Sequence, residues 1–172
     1  MHRCMKDNIR RLNFGCGNDL KESWVNADIS NGADINFDFN KFPYPIKDNS
    51  FDYIETRQVL QLLDRPDKVL HELHRIAKPN IEIKVIVGYY HNKGQWNDIL
   101  TKHAFSEITF QTFVDHPVEL DSNKNKFEII EIEKTLTIFG KLLLFEFVRK
   151  KLDLFISGIY SLLIVRLKVK KN

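Results

Sequence analysis

The chain opens on short apolar blocks cut by turn residues. Arg11 to Phe14 is β-prone and breaks at once into Gly15-Cys16-Gly17, which predicts a buried strand ending in a glycine turn. Trp24 to Ile29 predicts a second strand and Ala33 to Phe39 a third. Turn chemistry follows at Pro43, Pro45, Asp48, Asn49 and Ser50, before a strand that begins at Phe51 and runs to about Thr56. Helical spacing then takes over. It is clearest from about Pro66 to Ala77, where Val69, Leu70, Leu73 and Ile76 share a face, Pro66 sits in the first turn and Pro79 stops the run.

Beyond Pro79 the pattern returns to period two. Glu82 to Tyr90 predicts a β-branched strand, followed by a polar loop through His91 and Trp96. Ser106 to Val114 predicts a short helix, Lys126 to Thr137 a strand, Lys141 to Phe155 an amphipathic helix and Ser161 to Lys170 a closing strand. Strands that alternate with helices and are apolar enough for burial on both faces imply a mostly parallel sheet wrapped by helices. Ligands of such sheets bind at the carboxyl ends of the strands, so the chemistry is sought there.

Composition narrows the class. With 172 residues, 43% of them hydrophobic and 28% charged, the chain is long enough for one domain with its own core and is not composed like a disordered one. We expect a single domain over 1–172, with a flexible start at 1–10 and a C-terminal helix and last strand at 141–172. Cys4 and Cys16 have no metal-type spacing, and the first residues lack the apolar core of a signal peptide, so a reducing, cytoplasmic setting is expected. The net charge of +3 gives no case for nucleic acid. That surplus is C-terminal: from Lys141 onward there are eight Lys or Arg against two acidic residues.

Candidate chemistry clusters at the predicted strand ends. Gly15 and Gly17 allow a tight bend and close approach of backbone to a ligand. A lone glycine pair is more often plain turn geometry, but Asp28 ends the second strand, where a carboxylate can accept from both hydroxyls of a ribose. Asp38 ends the third with Phe39 beside it, an acceptor for an adenine amino group and an apolar wall for its ring.

These residues resemble a known family, the class I S-adenosylmethionine-dependent methyltransferases, in the branch whose motifs read LNxGCGN and WxNxD. Leu12 to Asp19 (LNFGCGND) and Ser23 to Ser30 (SWVNADIS) carry the likeness, which continues through Asp38 to Ile54 and Val69 to Pro79. The resemblance implies a Rossmann-like, doubly wound α/β fold: a mostly parallel sheet of about seven strands, a C-terminal antiparallel strand and helices on both faces. It implies S-adenosyl-L-methionine as cofactor, with Gly15, Cys16, Gly17 and Asn18 lining the methionine part, Asp28 and Ile29 the ribose, Asp38 and Phe39 the adenine, and Arg57 and Gln58 facing the sulfonium. The chain departs from the family in three places. Gln58 to Leu62 replaces a His-Val-Leu-Glu-His run, Lys78 to Ile81 lacks the usual glycines, and too few residues separate Gly17 from Trp24 for a full crossover helix.

The acceptor is expected to be a small molecule, a glycan or a lipid-linked group. His91, Asp98 and His103 lie in or just after the loop behind the fifth strand and are candidate general bases, each weighed against a plain solvated loop. His71 and His74 lie one turn apart, but a metal there is set aside as less in keeping with an ordinary exposed helix face. Covering the sheet is the first reading of Lys141 to Phe155, and peripheral contact of 141–172 with an anionic membrane the second. Two rival functions stand beside methyl transfer: a non-catalytic binding protein of the same fold, favoured by the lost histidines, and a nicotinamide dehydrogenase, disfavoured by the absent third glycine.

Overall fold

The computed structural model describes residues 9–115 and 126–171. Of the expected flexible start only Ile9 and Arg10 fall inside that range.

Seven strands form one sheet in the order β3-β2-β1-β4-β5-β7-β6. They are β1 (Arg11–Phe14), β2 (Val25–Asp28), β3 (Ile35–Asn36), β4 (Phe51–Arg57), β5 (Ala77–Gly88), β6 (Phe127–Leu136) and β7 (Tyr160–Val169). Pairings from β3 to β5 are parallel, while β7 runs antiparallel to both β5 and β6. The order reverses beside β1, so β1 and β4 flank a switch point whose carboxyl edge can hold a ligand.

Register explains which face is dry. Leu12, Ile54, Ile83 and Leu167 pair in one row across β1, β4, β5 and β7, and all are fully buried. Helix α1 (Pro66–Ile76) lays Val69, Leu70, Leu73 and Ile76 on that face. Helix α2 (Glu107–Asp115) packs there too, its Phe113 ring 5.8 Å from Phe127 of β6. The opposite face carries Asn13, Glu55, Lys84 and Arg166 in the neighbouring row. Alternating charges pair across it: Lys21 with Glu55 at 2.6 Å, Lys84 with Glu55 at 3.6 Å, and Arg166 with Glu131 at 2.9 Å. The helical layer on this side is reduced. Residues 15–24, between β1 and β2, contain no helix, and a 3-10 turn at Lys93–Trp96 packs Gln95 against Gly88.

Several elements differ from their predicted bounds. The third strand keeps only two residues, and Asp38 and Phe39 lie in the turn after it. β5 begins directly after α1 instead of at Glu82, with Ala77 opposite Phe51 and a register shift before Tyr53. The bend that glycine makes in the family is made here by Asn80 at φ 63, a left-handed conformation that Asn tolerates better than most residues. The predicted helix from Lys141 to Phe155 is two short ones, α3 (Ile138–Leu142) and α4 (Glu146–Leu152). Thr137 caps α3 by accepting from the Gly140 N–H at 2.9 Å, and Leu143 and Phe145 are extended between the two. The amphipathic period runs across that break, which is why the sequence reads as one helix.

The turn before β4 is clamped to α1. The Arg75 guanidinium donates to Glu72, to Asp48 and to the carbonyls of Tyr44 and Ile46. Burial alone would raise the Glu72 carboxyl, but the Arg75 guanidinium and the Tyr44 N–H hold it below its ordinary value.

Candidate functional site

The bend after β1 is fixed from below. The N–H groups of Gly15 and Cys16 both donate to the Ala27 carbonyl, at 2.8 and 3.1 Å, so the turn rides on the end of β2. Gly15 and Gly17 have φ of 78 and 49. Their glycines serve different ends. A Cβ on Gly15 would lie 2.0 Å from Val59 Cγ2, so that glycine admits the chain leaving β4. A Cβ on Gly17 would meet nothing within 4 Å, so the bend is open there.

Asp28 closes on this bend. Its Oδ2 accepts from the Gly17 N–H at 2.8 Å and its Oδ1 from the Ser30 N–H at 2.9 Å. Burial opposes the charged form, but the donated hydrogen bonds prevail and the carboxyl titrates below its ordinary value. The result is a half-buried carboxylate with lone pairs left over for a ligand's hydroxyls. Ile29 beside it is exposed, while Cys16 is buried, its thiol pushed up by that burial and by the charge of Asp28. Asn18 is exposed at the tip of the bend.

Asp38 comes to the neighbouring strand end. Phe37 N–H donates to the Asp28 carbonyl at 3.2 Å, and Asp38 follows it with Oδ1 accepting from the Asn40 N–H at 2.9 Å. Phe39 departs from its expected role. Its ring is buried and stacked on Phe14 with centroids 3.9 Å apart, so it belongs to the core and is not free to wall an adenine.

From β4, Arg57 and Gln58 are exposed, with Gln58 at φ 57 and its N–H donating to the Ile86 carbonyl at 2.8 Å. Beside Gln58 opens a cavity of about 370 Å³. Gln58, Gln61, Asn92, Gln95, Asp98 and Thr101 line it, and Gly88 forms part of its floor. The Gln61 amide donates to the Gln58 side-chain carbonyl, and its own Oε1 is buried with no hydrogen-bond partner. Gln95 donates to the His103 carbonyl at 3.0 Å. Of these carboxamides the sequence points to Gln58 alone, and Gln61, Asn92 and Gln95 join it at the cavity only in the fold. The signal was the Gln58-to-Leu62 run, which reads as a loss of histidines when it is also a gain of amides.

The three candidate bases separate. Asp98 lines the cavity, its Oδ1 accepting from the Leu100 N–H at 2.9 Å. His103 meets the wall through its backbone, donating to the Gln61 carbonyl at 3.2 Å. His91 turns to Asp153, 3.7 Å away, where the Asp153 carboxylate also accepts from Tyr89 at 2.7 Å. Among the described residues there is no group of three or more His, Cys, Asp and Glu side chains that could hold a metal ion.

Known proteins agree with this frame. A methyltransferase-domain family profile matches residues 16–81, the stretch that holds Gly17, Asp28, Asp38 and Gln58. The resemblance to the class I methyltransferase family holds. In fold the chain is similar to a putative methyltransferase from Bacillus halodurans (TM-score 0.64, 13% identity, 98% of this chain and 95% of the other). It is also similar to an S-adenosylmethionine-dependent methyltransferase from Archaeoglobus fulgidus (0.64, 15%, 93% and 86%). A Haemonchus contortus phosphoethanolamine N-methyltransferase, solved with S-adenosyl-L-methionine, shares the fold over 95% of this chain and 49% of its own (0.61, 14%). No curated protein matches the sequence significantly. The seven-stranded sheet with one antiparallel strand is thus the class I methyltransferase fold.

Proposed function

We propose that the chain is a single methyltransferase-like domain that holds S-adenosyl-L-methionine along Gly15, Gly17, Asp28 and Asp38 and moves its methyl group to an acceptor in the cavity beside Gln58. The observation that carries this reading is the Asp28 carboxylate fastened to the Gly17 N–H at 2.8 Å, next to open space over the bend. A carboxylate kept charged at a strand end beside a glycine turn is what the two hydroxyls of a ribose require. When bound, the cofactor supplies a methyl group on a positively charged sulfur, which is already a good leaving group.

The remaining work is positioning. Gln58, Gln61, Asn92 and Gln95 offer neutral donors and acceptors that orient an acceptor's polar groups, and the unpartnered Gln61 Oε1 suits a donor from that acceptor. Asp98 stands where it can take a proton from an attacking hydroxyl or amine. The acceptor class fitted by this lining is a small polar molecule, a glycan or the polar end of a lipid-linked group. The buried free thiol of Cys16 suits a reducing, cytoplasmic setting.

Calorimetric titration with S-adenosylmethionine, S-adenosylhomocysteine and NADH tests the cofactor. The sulfur compounds are expected to bind and NADH is not; selective binding of NADH overturns the reading in favour of a dehydrogenase. Mass spectrometry on candidate acceptors then tests transfer. Binding without a methylated product from any of them supports the second reading, a non-catalytic S-adenosylmethionine-binding protein, which the missing histidines of the Gln58-to-Leu62 run favour.

A further inference from the structure

The segment between β6 and β7 meets the core through Leu143 and Leu152 but leaves most of its apolar side chains in solvent. Helix α4 buries no residue, and Ile138, Leu142, Leu144, Phe145, Phe147 and Phe155 all stand in solvent, three of them more than 80% exposed. Apolar surface on that scale in one contiguous stretch marks a place of contact. Lys141, Arg149, Lys150 and Lys151 interleave with it, against the acidic Glu146 and the buried Asp153.

Its position ties it to the cavity. β5 and β6 both pair with β7, and they end at the same level, Gly88 opposite Leu162 and Leu136 opposite Tyr160. Both following segments therefore leave from one edge of the sheet. They are also fastened together. Gly158 N–H donates to the His91 carbonyl at 3.0 Å, the Asn92 amide to the Tyr160 carbonyl at 2.7 Å, and the Tyr89 hydroxyl to Asp153 at 2.7 Å. Trp96, Ile99 and Leu100, in the segment after β5 that borders the cavity, are exposed as well.

We infer that residues 138–156 are a docking surface for an anionic lipid bilayer, which brings the mouth of the cavity beside Gln58 to the membrane face. Three features select lipid over protein. The exposed apolar side chains project from short helical turns and an extended link, while the cavity beside α4 is lined from this segment by the polar Glu146, Arg149 and Lys150. The basic residues among them complement anionic headgroups. Lysine, frequent here, is depleted at protein–protein interfaces, whereas a mixture of Phe, Leu and Lys is the composition of interfacial segments. No described helix is long and apolar enough to cross a membrane. The docking surface stands on these observations alone; only its consequence for the acceptor, presentation from the lipid surface, rests on the methyltransferase reading.

Flotation of the full chain with phosphatidylcholine vesicles, with and without phosphatidylglycerol, tests it. Binding is expected to the anionic vesicles, to weaken as salt is raised, and to fall about tenfold or more in Leu144→Ser/Phe147→Ser/Phe155→Ser, whose sites are exposed and leave the core untouched. Lys150→Glu/Lys151→Glu is expected to lose the preference for anionic lipid. Absence of flotation with either vesicle overturns the proposal. So does a dimer in size-exclusion chromatography that the triple variant dissociates, since a second copy would then cover the surface. S-adenosylhomocysteine titration of the same sample keeps the two readings apart: normal binding without flotation sinks only the docking, and flotation without binding sinks only the cofactor site.

Discussion

Gly15 and Val59 touch so closely that a methyl group on the glycine would sit 2.0 Å from the valine Cγ2. The bend after β1 and the chain leaving β4 are thereby seated against each other. Gly15→Ala meets both this clash and the strain of an L-residue at φ 78, and is expected to cost about 2–4 kcal/mol in urea unfolding. Val59→Ala removes the clash but not the strain. In a double-mutant cycle the pair should therefore couple by about 1–2 kcal/mol, leaving a residual cost from the backbone. Additive effects would mean the two residues are not in contact.

Asp28 links the bend to pH. Its carboxyl titrates below the ordinary 3.8 in the folded chain, so its contribution to stability is present above that value and is lost as pH falls through the lower folded one. Glu72, held below 4.5 chiefly by Arg75, acts in the same direction. Stability is expected to drop below about pH 4, and Asp28→Asn to flatten part of that drop. The same variant should weaken S-adenosylhomocysteine binding about ten- to a hundredfold, the scale of hydrogen bonds to a charged acceptor. Unchanged affinity would remove Asp28 from the site.

The order of strands and the place of the bend are legible in the chain because short apolar blocks, glycines and strand-end carboxylates are local signals. Asp28 is picked out as a candidate by its position alone. The burial of Phe39 is not legible, because whether its ring faces a ligand or the core depends on Phe14 arriving from β1 to stack on it, with Phe37 and Tyr44 closing around the pair. The region from Lys141 to Phe155 reads as one helix because periodicity does not register the cap at Thr137 or the extended link at Leu143 and Phe145. Gln61 and Gln95 come to line one cavity only once the segment after β5 folds back over Gly88.

Asn80 shows how a missing family glycine is replaced. At φ 63 it tolerates the bend near the start of β5 at a modest cost. Asn80→Ala is expected to destabilise by about 1 kcal/mol, and Asn80→Gly to stay within about 0.5 kcal/mol of the parent, since lost strain and added unfolded-state freedom oppose each other. Chemical denaturation of both variants checks this, and an alanine as stable as the parent would contradict it.

Gly88 offers a way to reach the cavity beside Gln58 without touching Gly15, Gly17, Asp28 or Asp38. A Cβ there would fall 1.5 Å from Gln95 Oε1 and 2.7 Å from Cδ, so Gly88→Ala must drive the Gln95 side chain from its seat. No left-handed φ adds strain at Gly88, so the effect should be local. Gln95 in turn holds the His103 carbonyl, so its displacement frees residues 93–104. Hydrogen exchange should quicken in that segment and hardly change in β1 and β2. S-adenosylhomocysteine affinity should stay within about twofold, because neither the glycine bend nor Asp28 is disturbed. Should affinity collapse along with the protection of 93–104, the cofactor and acceptor sites would have to share that segment, and the division of the cleft into two seats would be wrong.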